Sequence, residues 1–412
     1  MRRRAAAKTD DGNSVGVWRG TLAGLCATLV GIGLARFAYT PLIPPLITEG
    51  WFAPAQAAYL GAANLAGYLA GALVARRMAA AAGSTPVLRA MMVLATAAFF
   101  ACAFPISFFW FFLWRFGAGL AGGALMALAA PSVLSRIPAS RRGLAGGIIF
   151  TGVGLGIAAS GSLVPALLRL GLFETWCGLG ALSLILTLLA WGGWPGEDTE
   201  RTAEPAAAPP NRRERLPGLA VPGLALKALF VAYGLNAAGL VPHMVFLVDY
   251  IARGLDRGLA VGADYWVLFG LGAIVGPVLF GHLADRSSFR LALRLGFLVQ
   301  AVAVALLALT VSPPWMVVSS AVVGAFVPGI VPLVLGRVHE LIPHDSRAQK
   351  AAWSGATVAF ALGQAGAAYG FSFLFAETGG YALLFVLGAV ALVLALVIDL
   401  GTIGVGARRR IS

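Results

Sequence analysis

Charge is what this chain has least of. Only 11% of its 412 residues are Asp, Glu, Lys or Arg, against about 25% in an ordinary soluble domain. That shortage excludes a water-solvated globular domain as the whole molecule. Acid is scarcer still, with 17 Asp and Glu against 30 Lys and Arg. No carboxylate stands clearly at the middle of an apolar run; Asp249 and Asp399 come nearest, both toward run ends. This speaks against the simplest carrier, in which a mid-membrane carboxylate ferries a proton, and against a strongly cationic solute. The three cysteines (Cys26, Cys102, Cys177) and four histidines (His243, His282, His339, His344) show neither metal-ligand nor redox spacing, so no metal is expected. No nucleophile elbow or phosphate-cradling loop occurs, and Gly152-Val-Gly-Leu-Gly156 has no strand–helix–strand context to make it a dinucleotide site. Neither an enzyme nor a cofactor is expected.

What the chain has in excess is apolar length. Hydrophobic residues make up 59% of it, and runs long enough to cross a bilayer, about 20 residues each, recur twelve times. They cover approximately 20–47, 55–78, 88–105, 107–134, 143–169, 172–194, 221–250, 263–284, 290–311, 314–336, 348–375 and 379–400. The expected fold class is an all-α membrane protein of twelve transmembrane helices surrounded by lipid. The net charge of +13 would be a nucleic-acid footprint in a soluble protein, but its placement excludes that partner. All but five of the 30 Lys and Arg fall in segments on one side of the membrane; Arg169, Arg253 and Arg257 lie on the other, and Arg36 and Arg115 lie within spans. By the positive-inside rule both termini are cytoplasmic. Arg2-Arg3-Arg4 resembles the charged start of a signal peptide, yet the apolar run after it is too long and has no small-residue cleavage site, so it reads as a retained first span.

A stretch of mixed charge, Pro and Ala at 195–220 cannot bury a core and reads as a cytoplasmic linker. It separates an N-terminal bundle with its tail (1–194) from a C-terminal bundle with its tail (221–412), six spans each. The halves echo one another at a constant offset of 201: Gly33, Leu34 and Pro41 match Gly234, Leu235 and Pro242, and Gly123, Pro131 and Arg136 match Gly324, Pro332 and Arg337. Gly281, Asp285, Arg286 and Arg290 form a charged latch after span eight. Its counterpart after span two keeps Gly71, Arg76 and Arg77 but has Ala75 in place of the aspartate. Small-xxx-small pairs occur at Gly67 and Gly71, Gly152 and Gly156, Gly272 and Gly276, and Gly366 and Gly370, the kind that lets helix backbones approach closely in lipid. Their equivalent places in the two halves suggest an interface between halves; packing within each half is the alternative.

Ionisable residues inside a membrane are costly and mark function. Arg36 lies near the middle of span one, with Tyr39 and Ile43 on its face at helical spacing; it reads as a substrate contact, or as a brace for a helix broken near Pro41, Pro44 and Pro45. Arg115 enters span four from outside and reads equally as a substrate contact or as an arginine snorkelling to headgroups. In span seven Asn236, His243 and Tyr250 recur every seven residues, which puts them on one helical face. His243 is able to change charge near neutral pH, or else satisfies a carbonyl freed by Pro242. Asn64 and Gln364 read as hydrogen-bonders between helices. Two cationic side chains without an obvious buried counter-ion favour an anionic solute, because arginine matches carboxylate geometry.

At these residues the chain resembles the major facilitator superfamily. Gly281-x-Leu-Ala-Asp285-Arg286-x-x-x-Arg290 is similar to its loop signature after span eight, the segment from Gly71 to Arg77 to the counterpart after span two, and Leu113-Trp-Arg115-Phe-Gly-Ala-Gly119 to its span-four motif. Gly33-Leu-Ala-Arg36-Phe37-Ala-Tyr-Thr-Pro41 and Tyr59-Leu-Gly-Ala-Ala-Asn64-Leu-Ala-Gly67-Tyr68 resemble the YbfB/YjiJ-type bacterial family. The resemblance implies the major facilitator fold: two pseudo-symmetric six-helix bundles around a cavity lined by spans one, four, seven and ten. It also implies a monomeric secondary transporter in the bacterial inner membrane, working by alternating access and commonly coupled to protons. Span five lacks the Gly-Pro signature of drug antiporters, so drug export gains no support. By the same resemblance Asp285 would meet the start of span five near Gly143. The expected function is transport of a small, anionic organic solute. A receptor or scaffold that binds a small ligand without moving it is the rival reading.

Overall fold

The structure, a computed structural model, describes residues 18–134, 136–137, 142–194, 223–343 and 345–402. These residues hold no strand, and twelve of their helices are long and apolar enough to cross a membrane. They are α1 Trp18–Thr48, α2 Pro54–Ala82, α3 Ser84–Cys102, α4 Phe108–Leu134, α5 Arg142–Leu167 and α6 Leu172–Ala190. The second six are α7 Leu224–Gly254, α8 Gly258–Arg286, α9 Phe289–Leu309, α10 Pro313–Leu341, α11 Ser346–Thr378 and α12 Ala382–Gly401. Each apolar run of the sequence corresponds to one helix. Ends differ where helix continues past the hydrocarbon: α2 runs on to Ala82 and α3 starts at Ser84, with only Gly83 between them at φ +84°. Glycine meets that left-handed turn without a Cβ penalty. The linker at 195–220 and both tails lie outside the described residues.

Burial shows how lipid shapes the helices. On α12, Val386, Val390, Val393 and Val397 stand exposed at helical spacing, while Leu384, Phe385, Leu392 and Ala395 on the other face are buried. An unbroken apolar row on the outside fits hydrocarbon, not water.

The packing sorts the residues into two compact units, Met1–Glu197 with Val248–Ile274, and Asp198–Leu247 with Val275–Ser412. In the first unit, α2 and α4 interlock through glycine. A Cβ added at Gly67 would lie 2.0 Å from the Phe116 carbonyl oxygen, and one at Gly119 would lie 1.9 Å from that of Asn64. Gly152 abuts α1 at Leu25 and Thr28, and Gly156 abuts it at Gly33. Where α5 meets α8, the contacting small residues are instead Gly154, Ala158, Gly161 and Gly270, round the helix from the pair that the sequence singles out. Gly276 abuts Ala325 of α10 in the second unit, and a Cβ at Gly366 or Gly370 would meet nothing within 4 Å. Small-xxx-small spacing thus finds close approaches but not their partners: Gly67, Gly71, Gly152 and Gly156 pack inside their own half. In the second unit the core is built by Leu229, Tyr233, Phe297, Phe326, Ile330 and Leu333.

The first helix of each half, α1 and α7, is 31 residues long, and neither is a plain α-helix. In α1 a π-helical stretch (Leu29–Leu34) gives way to a 3-10 stretch (Phe37–Leu42) and then to α-helix (Ile43–Thr48). Pro41, Pro44 and Pro45 donate no backbone hydrogen bonds, so the regular ladder fails there. In α7, π-helical turns occupy Pro242–Phe246 and Tyr250–Gly254.

Candidate functional site

The change of winding in α1 frees the carbonyl of Ala35, and two side chains meet it. Arg115 of α4 donates to it from Nη1 at 2.8 Å, and Asn64 of α2 donates from Nδ2 at 3.4 Å. Asn64 also donates to the Arg115 carbonyl at 3.1 Å, which ties α1, α2 and α4 together at one point. A broken helix is tolerated at membrane depth only where neighbours satisfy its backbone groups. The sequence offers Arg36 as a possible brace of this break; the Ala35 carbonyl itself is met by Arg115 and Asn64.

Arg115 is only 2% exposed, so it does not snorkel to headgroups. Its guanidinium lies 4.2 Å from the centroid of the Tyr39 ring, and the Tyr39 hydroxyl donates to the Ala57 carbonyl at 2.8 Å. Ala95, Ala98, Phe99, Cys102, Ala118 and Trp176 close round the other side of Arg115, leaving a gap too narrow for a water molecule. Among the described residues no salt bridge includes Arg115.

Arg36 sits at the head of the 3-10 stretch, 4.9 Å from the Phe37 ring centroid and 5.2 Å from that of Tyr68. It is the one residue between 30 and 46 that is not fully buried. Tyr39, three residues on, is buried and its ring meets Arg115.

Asp249 is where sequence reasoning falls short. It is 1% exposed, in the part of α7 that packs into the first unit, and within electrostatic reach of Tyr39. Both its oxygens accept from Arg253 Nη1, at 3.1 and 3.2 Å. The i, i+4 spacing of acid and arginine is a readable signal.

The three-residue stripe of α7 is not one face. The π turn between His243 and Tyr250 adds a residue to the helix and rotates its outer part by roughly 100°. Asn236 donates to Gln300 Oε1 at 2.8 Å, and His243 lies 2.8 Å from Ser319 Oγ, edge-on to Phe385. Both therefore sit inside the second unit, whereas Tyr250 belongs to the first. Gln364 reaches the Met244 sulfur at 3.5 Å.

Of the latch, Ala75 and Gly71 are buried while Arg76, Arg77 and Arg286 are exposed. Gly281 and Asp285 lie in α8, but the Asp285 side chain is outside the described residues, as is that of Arg142 beside Gly143, where the resemblance puts its partner. Arg290 is half-buried among Arg294, Arg337, Glu340 and Asp399. Glu340 accepts from Arg337 at 2.9 Å and from the Phe289 amide at 3.1 Å, and Asp399 accepts from Arg294 at 2.5 Å. Sequence reading names Asp399 only as an acid near a span end and does not join it or Glu340 to these arginines, because the contacts between Arg294 and Asp399 and between Phe289 and Glu340 cross between helices.

Comparison with known proteins gives this geometry a setting. The fold is shared with a crystal structure of a D-xylose–proton symporter, at a TM-score of 0.74 and 14% identity, covering 93% of this chain and 97% of that one. No curated protein matches by sequence. A family model described as "Uncharacterised MFS-type transporter YbfB" matches residues 28–400. Family and fold together point to a secondary transporter and away from an enzyme. The protein has the twelve-helix major facilitator fold of a multi-pass membrane protein, and it belongs to the family of the MFS-type transporter YbfB.

Proposed function

We propose that the protein carries a small organic anion across the bacterial inner membrane by alternating access, as a monomer with both termini in the cytoplasm. The observation that carries this reading is the pair of arginines at the break in α1. Arg115 is buried without an ion pair among the described residues, and beside it Arg36 is the one accessible side chain in a sealed stretch. Asp249, the buried acid within electrostatic reach of Tyr39, is bonded to Arg253. A planar guanidinium accepts a carboxylate in a two-pronged grip, which suits the two arginines to an anion. Arg36 is the substrate contact in this scheme. Arg115 fixes the α1 break and adds charge behind it, and Tyr39 and Tyr250 complete the polar surroundings within the same unit. α7 leaves one unit for the other between Leu247 and Val248, with a π turn on either side. Such turns often mark functional sites. Protons are the proposed coupling ion, a reading supported by the name of the structural neighbour, a proton symporter.

Uptake of labelled mono- and dicarboxylates into proteoliposomes under an imposed pH gradient tests the scheme. At least one anion should accumulate, a protonophore should abolish the accumulation, and Arg36→Lys should cut uptake about tenfold by losing the two-pronged grip. If Arg36→Lys carries every anion at the wild-type rate, the anionic reading fails. Binding with no accumulation would instead indicate a receptor.

A further inference from the structure

Two carbonyls of α9, at Gly296 and Ala303, each end a chain of side-chain hydrogen bonds that begins on α7. Gln300 Nε2 donates to the Gly296 carbonyl at 3.0 Å, and Ser319 Oγ donates to the Ala303 carbonyl at 2.6 Å. A carbonyl has no hydrogen to give, so each chain is polarised from that end. The Gln300 amide must turn Oε1 toward Asn236, and Asn236 must answer with Nδ2. The only hydroxyl hydrogen of Ser319 goes to Ala303, so at the contact with His243 the hydrogen belongs to Nε2. This fixes the amide orientation of Asn236 and the tautomer of His243, two assignments that normally float.

The consequence is an inventory of one kind. Among the described residues Asn236 Oδ1 and His243 Nδ1 have no hydrogen-bond partner, and neither does Gln364 Oε1, whose amide nitrogen is turned to the sulfur of Met244 beside His243. Asn236 and His243 are 0% exposed and Gln364 is 1% exposed. Three buried atoms on α7 and α11 are thus hydrogen-bond acceptors in want of a donor. A buried acceptor without a partner keeps its full desolvation penalty, so a donor brought to any of these three atoms by a ligand would relieve it. Protonating His243 at Nδ1 would bury a cation among apolar groups such as Phe385, so the imidazole is neutral and Nδ1 accepts.

We propose that Asn236 Oδ1 and His243 Nδ1, with the adjacent Gln364 Oε1, take the hydroxyl groups of a hydroxylated solute. The class of solute this site recognises is a polyhydroxylated small molecule, and its hydroxyl contacts do not depend on the proposed anionic group. Ser319 and Gln300 are positioning residues, because they commit the α7 side chains to accepting.

The test uses the full chain in nanodiscs, with 15N-labelled histidine and the His243 resonances identified by their loss in His243→Gln. His243 should appear as a neutral imidazole protonated at Nε2, and Ser319→Ala should release it to a mixture of tautomers. The Nδ1 resonance should move on adding gluconate or the neutral polyol sorbitol, but not on adding hexanoate. By fluorescence or calorimetric titration, gluconate should bind about five- to tenfold more tightly than hexanoate, the worth of about one net hydrogen bond, and His243→Gln should erase that preference. A proton on Nδ1, an imidazolium, or a resonance unmoved by both hydroxylated probes would overturn the proposal. If sorbitol moves Nδ1 and no carboxylate binds, the hydroxyl site stands and the anionic reading falls. If gluconate and hexanoate bind equally and Nδ1 stays still, the anionic reading stands and the hydroxyl site falls.

Discussion

A cation held in hydrocarbon without a carboxylate is retained for what it does, since burying it costs several kcal/mol. Arg115 is such a cation, and its contacts separate two roles that the sequence leaves tied. Its Nη1 serves the Ala35 carbonyl, which Asn64 also serves. Arg115→Met should therefore leave the thermal midpoint unchanged or raise it, because the carbonyl keeps one donor and the buried charge is gone. Transport should fall by at least about tenfold, the effect expected of a site cation. A large drop in the midpoint with transport per folded molecule intact would make Arg115 a purely structural brace. The sequence marks Arg36 and Arg115 as intramembrane charges from hydropathy alone. It does not say which braces the helix and which stays accessible, because that depends on where the carbonyl of a broken turn points. Asp249 is underrated for the same reason: distance from a span end along the sequence does not measure burial.

At the scale of helices, spacing and partner are separate pieces of information. Gly67 and Gly366 each begin a small-xxx-small pair, but a Cβ at Gly67 would strike the Phe116 carbonyl at 2.0 Å while one at Gly366 would meet nothing. Gly67→Ala and Gly119→Ala should each destabilise the protein by about 1–3 kcal/mol through overpacking, whereas Gly366→Ala and Gly370→Ala should stay within about 0.5 kcal/mol. Reversible unfolding in mixed micelles reads the difference, and equal losses at all four positions would show that glycine matters here for flexibility rather than for space. The twelve helices are legible because each needs only length and apolarity. The register of α7 is not, since a seven-residue stripe assumes a regular helix, and the π turn at Pro242–Phe246 rotates Tyr250 away from His243. Pro242 is the visible warning; proline allows a wider turn but does not dictate one.

For the whole molecule, the distribution of arginine and lysine makes a prediction independent of any ligand. A fluorescent protein that matures only in the cytoplasm should glow when fused after Ser412, and a periplasm-dependent phosphatase inserted next to Arg169, between α5 and α6, should be active. The opposite pattern would invert the orientation and place the latch arginines outside. The number of membrane-spanning helices and their approximate places are properties the sequence determined by itself, because a bilayer imposes one coarse condition, apolar length, on every segment separately. Fold came from the same condition together with the motifs around Arg115 and Asp285. The tertiary structure alone decided which carbonyl each buried side chain would meet. It set Arg115 against Ala35, turned Asn236 and His243 toward α9 and α10, bonded Asp249 to Arg253, and assigned the outer part of α7 to the first unit. The physical reason is that hydrogen bonds are short and directional. A residue's partner is fixed by distances within about 3.5 Å, and these arise only once helices from distant parts of the chain have packed.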